Sequence, residues 1–323
     1  MFRTRPIKES DKEALKEFAE AASLGITNLP KHKERREQFL SLALAPHPKS
    51  YYLFLLENYK DKTTLGVSGI FPKTNNLDYF KLHSEQLPAY YPGSLKEVTT
   101  LERIHYDEGP TEICSLYLSR EARKEGLGKL LSYSRFYFMK AFPDLFADEV
   151  YAEMRGVIDE KGDAPFWDSM GRRFAGISYR ELIDRIDHGD KRARELMPSK
   201  TVYIDLLDPE GRGAIGKTYV STTPAYKLLQ EQNFSFSGEI DLFDAGPRMV
   251  CKREKIATIQ NSQRLRVTKV RSLNKEPQFL SNVSEDFRVT LGQVEREGDG
   301  AAIDPLTAQL LEVDAGDEII AIL

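Results

Sequence analysis

Cysteine is scarce in this chain: its 323 residues include only Cys114 and Cys251. Two thiols cannot build a disulfide framework, so a reducing cytoplasm is the expected setting. The five histidines, His32, His47, His83, His105 and His188, show no H-x-x-x-H spacing, and no C-x-x-C occurs. Local spacing therefore predicts no metal site. No apolar run reaches bilayer-spanning length, and the opening MFRTRPIKESDKEA lacks the apolar core of a signal peptide, so no membrane role is expected. A G-x-S-x-G elbow is also missing, which argues against a serine hydrolase. The formal charge of −4 argues against a dedicated nucleic-acid binder.

What is present is ordinary globular composition, 41% hydrophobic and 30% charged, at a length that allows two domains. The chain opens with a strand at Phe2–Ile7 and a helix to about Ala22, started by a capping box of Ser10 with Glu13. A second helix is expected over Lys31–Leu44, then a hairpin of Tyr51–Asn58 with Leu65–Phe71. Residues 73–100, rich in Tyr, Pro and Asn, resist assignment. Leu101–Tyr106 reads as a strand ended by a DEGP turn at 107–110.

The run from 112 to 142 is the most informative. TEICSLYL alternates as a strand, Arg123–Gly128 is a glycine-containing turn, and KLLSYSRFYFMKAF is an amphipathic helix. Its core stripe is Leu127, Leu130, Leu131, Ser134, Tyr137, Phe138 and Ala141. A strand that feeds a glycine-flanked loop into a helix N-terminus gathers unpaired N–H groups at the positive end of the dipole, which is an anion cradle. Arg123, Glu125, Gly126, Leu127, Gly128 and Lys129 make up this loop.

Further on, Glu149–Arg155 reads as a strand, residues 180–198 as a charged helix, Val202–Leu207 as a strand and Pro224–Gln232 as a short helix. From about Ala257 the texture becomes strand-like, with Leu265, Val267 and Val270 among Arg and Lys, strands at Phe287–Val294 and Glu318–Leu323, and a brief helix from Pro305. The expected division is 1–255, with a core to about 180 and an extension over 181–255, followed by a small β-rich domain at 256–323. The basic strand near 264–271 reads as a solvated sheet face, since stacking aromatics are sparse there. Cys114, inside an apolar strand, is expected to be a buried structural thiol rather than a nucleophile.

The spacing R-x-x-G-x-G resembles the pyrophosphate loop of the GNAT superfamily of acyl-CoA N-acyltransferases, and the order of elements follows that fold. The resemblance implies an α+β fold, a mixed and mostly antiparallel sheet flanked by helices. A closer likeness lies downstream. AEMRGVIDEKGDAPFWDSMGRRF (Ala152–Phe174), GITNLP (Gly25–Pro30), EICSL (Glu112–Leu116), ARKEGLG (Ala122–Gly128), ELMP (Glu195–Pro198) and IDLFDAGP (Ile240–Pro247) resemble the arginine N-succinyltransferase family. This implies transfer of the succinyl group of succinyl-CoA to the α-amine of L-arginine. The acyl-CoA would be a co-substrate, with no permanently bound cofactor, and the enzyme a homo- or hetero-oligomer. It also implies a succinyl-CoA contact at Leu116 and a proton-donating histidine where this chain has Tyr219, in IGKTYVSTTPA against the family's IGxxHPxTxPA.

That departure leaves two readings of Tyr219: a phenol acting as the acid, or a pocket-wall aromatic with Tyr117 or solvent as proton source. Glu153 is the general-base candidate, or else the ion-pair partner of Arg155. Arg155, Arg172 and Arg173 are candidates for the succinyl carboxylate, since a guanidinium fork suits a carboxylate. Asp159, Glu160, Asp241 and Asp244 are candidates for the acceptor's guanidinium. A related acyltransferase with another amine or donor, or a non-catalytic CoA-binding regulator, are the alternatives.

Overall fold

The computed structural model describes residues 1–22, 29–123, 126–190 and 192–323. The strands are β1 (Phe2–Pro6), β2 (Tyr52–Asn58), β3 (Thr64–Phe71), β4 (Thr74–Pro88), β5 (Leu95–Gly109), β6 (Thr111–Leu118), β7 (Glu149–Glu153) and β8 (Val202–Tyr203). They continue with β9 (Ser235–Asp241), β10 (Pro247–Lys252), β11 (Ser262–Val270), β12 (Gln278–Asn282), β13 (Val289–Gly292), β14 (Val294–Glu297), β15 (Gly300–Ile303) and β16 (Glu318–Ile322). The helices are α1 (Lys12–Ala21), α2 (Lys33–Leu44), α3 (Leu127–Ala141), α4 (Pro165–Ser169), α5 (Gly171–Ala175) and α6 (Tyr179–Asp187). After them come α7 (Arg192–Leu196), α8 (Pro209–Ala214), α9 (Thr223–Glu231), α10 (Ala257–Asn261) and α11 (Pro305–Leu311). The result is α+β.

The strands join in one continuous order, β14-β15-β11-β16-β12-β13-β1-β2-β3-β6-β7-β10-β9-β4-β5-β8. Only β6–β7 and β11–β15 pair in parallel among the registers seen. The β6–β7 register covers Thr111 opposite Val150 and Glu112 opposite Tyr151. Beyond that point the two strands diverge, and a cleft opens between their C-terminal halves. Beside it the β3–β6 ladder slips at Ser68, between Val67–Tyr117 and Gly69–Cys114, so Ser115 and Leu116 face a single residue. Ser115 takes φ +52° to make this bulge. A bulge re-aims side chains and interrupts the ladder, often next to a functional site.

Helix α3 lies beneath the cleft. Its stripe from Leu127 to Ala141 is buried as expected, but Tyr133, Phe136 and Met139 outside the stripe are buried too. The C-terminal strands and α10 supply the extra cover. Tyr137 donates to the Phe279 carbonyl, Lys140 to that of Ile259, and Arg264 to that of Ala141. A helix apolar nearly all round is one that is covered on more than one side.

Several local expectations need correction. Residues 74–109 form a long β4–β5 hairpin, in register from Thr74–Gly109 to Pro88–Leu95, where 73–100 resisted assignment; the strand expected at Leu101–Tyr106 lies within β5. Much of this ribbon is exposed, so its alternation lacks the apolar signal. The DEGP turn is absent: β5 runs on through Gly109, and Pro110 alone separates it from β6. At the start of α1 the Ser10–Glu13 box is replaced by a 3-10 turn, Glu9–Asp11, in which the Asp11 carboxylate accepts the Lys8 N–H at 2.7 Å. The 180–198 helix is two short ones, and Val202–Leu207 is a two-residue strand followed by a 3-10 turn.

Candidate active site

Two cavities meet at the C-terminal end of β7. The first, about 770 Å³, fills the β6–β7 cleft, with Glu112–Ser119 on one side and Ala152–Arg155 on the other. The second, about 920 Å³, is walled by Leu29–His32, by α6 and by Asp241, Phe243 and Asp244. Glu153, Met154 and Arg155 line both. A group entering from either side reaches the same three residues.

Close in sequence to Arg123, which lines the first cavity, Gly126 takes φ +76° and turns the chain into α3. The left-handed region is open to glycine without steric cost. Leu130 N–H is the donor that reaches the Gly126 carbonyl, at 3.0 Å, so the amides of Leu127, Gly128 and Lys129 precede the helical ladder. A side chain at Gly128 would meet only Leu118, 3.9 Å away, which leaves room for an anion. Arg123 Nε donates to the Leu118 carbonyl at 3.1 Å, tying its guanidinium to the end of β6. Lys129 Nζ sits 2.8 Å from Glu231 of α9, so part of its charge is committed there. Leu116 lines the cavity at the bulge. Glu125 and loop residues 23–28 lie outside the described residues.

Glu153 is the centre of the junction. Its Oε1 accepts the Tyr79 hydroxyl at 2.5 Å, and among the described residues it makes no ion pair. Although the side chain is open to the cavity, desolvation by the surrounding protein raises its pKa above the ordinary carboxylate value, with the negative charge of Asp244 adding to the effect. The Tyr79 hydrogen bond and Arg194 and Arg248 oppose it. Arg155 is not its partner. The Arg155 Nε lies 3.4 Å from Asp244 Oδ2, both side chains under 10% exposed, and the guanidinium covers the Tyr179 ring. Asp244 also accepts from Tyr179 Oη at 3.1 Å and from Gly246 N–H at 2.9 Å.

The packing here explains two motif glycines. A Cβ at Gly156 would fall 2.0 Å from the Asp244 carbonyl, and one at Gly246 would fall 1.9 Å from that of Met154. The RG of β7's exit and the DAG of residues 244–246 are therefore pressed back to back, which no side chain would permit. Asp241 Oδ1 accepts the N–H groups of Phe243 and Asp244 at 2.7 and 2.9 Å. Burial, then the charges of Asp244 and Glu153, push its carboxyl up to about 7.

Tyr219 lines the first cavity, and its N–H donates to the Arg155 carbonyl at 2.8 Å. The position that departs from the family's histidine is thus stitched to the junction. Other candidates are elsewhere. Arg172 is exposed and paired with Asp168 at 3.2 Å, and Arg173 is paired with Asp208 at 2.6 Å. Asp159 accepts the N–H groups of Lys161 and Asp163 within its own turn, and Glu160 is exposed beside it. None of these four lines either cavity.

Sequence reasoning missed Tyr79, Tyr179, Arg194, Arg248 and Arg135. Arg135 alone carried a signal, as a single arginine within a helix whose neighbours are apolar. Two histidines separated by 156 positions also meet. His32 and His188 have ring centroids 3.5 Å apart beside Asp184, on the rim of the second cavity. Tertiary contact, not local spacing, joins them. P-loop spacing does occur once, in GRGAIGKT at Gly211–Thr218, but the backbone is wrong for phosphate. Gly211 and Gly213 lie within α8, and no helix begins directly after Lys217. Cys114 is buried, and burial pushes its thiol well up, as suits a structural residue.

A parallel pair that splays beside a bulge, with a glycine-led helix N-terminus after its first strand, defines an acyltransferase of the acyl-CoA N-acyltransferase type. The profile of the arginine N-succinyltransferase beta subunit family matches residues 2–258, and that of the family's C-terminal domain matches 263–322; the chain belongs to this family. It is 34% identical to the arginine N-succinyltransferase subunit beta of Pseudomonas aeruginosa, over 98% of this chain and 97% of the other. It is 32% identical to the arginine N-succinyltransferase of Shigella sonnei, over 99% and 96%. The solved arginine/ornithine succinyltransferase subunit AI of Pseudomonas aeruginosa shares the fold, with a TM-score of 0.87 at 23% identity, covering 100% of this chain and 98% of that one. No helix among the described residues is long and apolar enough to cross a membrane.

Proposed function

We propose that this chain transfers the succinyl group of succinyl-CoA to the α-amine of L-arginine, yielding N2-succinylarginine and CoA. The observation that carries this reading is the meeting of two cavities at Glu153–Arg155, one lined by the β6 bulge and Arg123 and the other walled by carboxylates. The CoA diphosphate rests on the amides of Leu127–Lys129, and the pantetheine arm runs along β6 to the bulge at Leu116. Arginine enters the second cavity, whose Asp241, Asp184 and Asp187 suit a cation.

Attack is direct, within a ternary complex, because holding both reactants together lowers the entropic barrier. The amine nitrogen bonds to the thioester carbon and passes a proton to Glu153. An amide of the bulge, at Leu116 or Tyr117, donates to the oxyanion; such preorganised donors contribute about 3–4 kcal/mol. Collapse breaks the C–S bond, and the thiolate takes a proton from the Tyr219 hydroxyl. The proton on Glu153 returns to Tyr219 through water. A phenol here replaces the family's imidazole. Tyr219→Phe is expected to lower turnover tenfold or more in steady-state kinetics; an unchanged rate would remove it as the acid.

Free thiol released from succinyl-CoA, followed across a panel of amino acids, tests the activity. Release with arginine is expected. Release only with other amines or other acyl donors would favour a second reading, which the Tyr219 substitution itself suggests. CoA binding without release under any pairing would leave a non-catalytic regulator. We further take the enzyme to act in a reducing cytoplasm, where two buried free thiols are stable, as part of a homo- or hetero-oligomer. We divide it into an acyltransferase region, 1–255, and a β-rich region, 256–323.

A further inference from the structure

We propose that Arg135 receives the free carboxylate of the acyl group and so selects a dicarboxylic acyl donor. This rests on the succinyl-donor reading above and supplies the residue that makes the choice. Arg135 lies on the third turn of α3, is 2% exposed and lines the first cavity with Cys114, Ser115 and Leu116 of the bulge. Its bonds go to neutral acceptors: Nε to the Ser132 carbonyl at 3.0 Å, Nη2 to Ser132 Oγ at 2.8 Å, and Nη1 to the Cys114 carbonyl at 3.4 Å. Three of five guanidinium donors are used, the last at poor distance.

Among the described residues Arg135 is in no ion pair. The carboxylate of Glu112 also lines this cavity and accepts the Tyr151 hydroxyl at 3.3 Å. The titratable neighbours, Tyr51 and Cys114, are buried with their pKa values pushed up by desolvation, so both are neutral near pH 7. Burial lowers the guanidinium to about 10, which still leaves it charged. A buried cation without a counter-charge is costly, and such groups are normally paired. A carboxylate delivered by the ligand satisfies that requirement, and the remaining fork donors fit it in two-point fashion. The distal end of a succinyl thioester held at the Leu116 bulge is such a carboxylate. An acetyl or butyryl group brings none and leaves the charge uncompensated. The exposed, already paired Arg172 and Arg173 have no comparable need.

The competing explanation is a mere tie between β6 and α3. Donor specificity separates the two. The full-length wild type and Arg135→Met are compared with succinyl-CoA, butyryl-CoA and the methyl ester of succinyl-CoA, following thiol release and, by calorimetry, donor binding. Wild type should prefer succinyl-CoA over both neutral donors by about 100-fold in kcat/KM. In Arg135→Met the KM for succinyl-CoA should rise about 100-fold while that for butyryl-CoA stays within twofold. A tie would weaken all three donors together, and that result, or a retained succinyl preference, would overturn the assignment. Should Arg135→Met not fold, Arg135→Lys keeps the charge without the fork and should raise the succinyl-CoA KM about tenfold, sparing butyryl-CoA. No change there, with wild type accepting the methyl ester freely, also overturns it. A wild type that binds acetyl-CoA in preference to succinyl-CoA sinks the donor reading itself, and this assignment with it.

Discussion

Glu153→Gln is expected to lower kcat for arginine succinylation by about 10²–10⁴-fold, the range that a positioned general base contributes. The amide keeps the size of the side chain and still accepts the Tyr79 hydroxyl, so the junction should stay packed. What is lost is the capacity to take the proton of the attacking amine. The wild-type rate should also depend on pH with a defined sign. Glu153 acts as the anion, and desolvation by the protein around it raises its pKa, so the rate climbs as pH rises through a value above the ordinary carboxylate range. Asp241, pushed up to about 7, titrates in the same cavity, and its ionisation favours a cationic acceptor in the same direction. In Glu153→Gln the kcat limb should flatten. A variant with wild-type kcat and an intact limb would show that water or another group removes the proton.

Arg155→Met should cost about 3–5 kcal/mol of folding stability, as expected when one partner of a buried ion pair is removed. The pair with Asp244 is nearly closed to solvent, with side-chain exposures of 8% and 4%, so little screening intervenes. Asp244 would be left as a buried anion supported by the Tyr179 hydroxyl and the Gly246 amide. The Tyr179 ring would lose its covering cation. Because the Arg155 carbonyl anchors the Tyr219 amide, backbone loosening here reaches the first cavity as well. Urea denaturation of both proteins measures the difference. A loss under 1 kcal/mol would mean that Asp244 finds another counter-charge, and the pair would cease to explain the join between β7 and residues 241–246.

The strand–loop–helix unit was legible because each part is written locally: alternation in β6, glycine at a positive φ, and an apolar face on α3. The same holds for β7 and for the family strings, whose glycines at 156 and 246 mark a contact that tolerates no Cβ. Apart from Leu101–Tyr106, the long β4–β5 ribbon was not legible, because half-exposed strands carry polar residues on faces that a core strand would fill. Its Tyr79 reaches Glu153 from 74 positions away, a distance no spacing rule spans. Arg172 and Asp159 fell inside the strongest motif yet point away from the junction, since a motif preserves packing as readily as chemistry. Arg248, lying over the rings of Tyr79, Tyr106 and Tyr151, was invisible because those three rings come from three strands.

Strand β1 sits between β2 and β13, so the first residues of the chain hydrogen-bond to residues near 290, with Thr290 Oγ1 also donating to the Phe2 carbonyl. A ribosome must therefore deliver nearly the whole polypeptide before this seam can close. Until then β1 shows a bare edge to its surroundings, and any chain cut short of β13 would keep that edge open to pairing with a stranger.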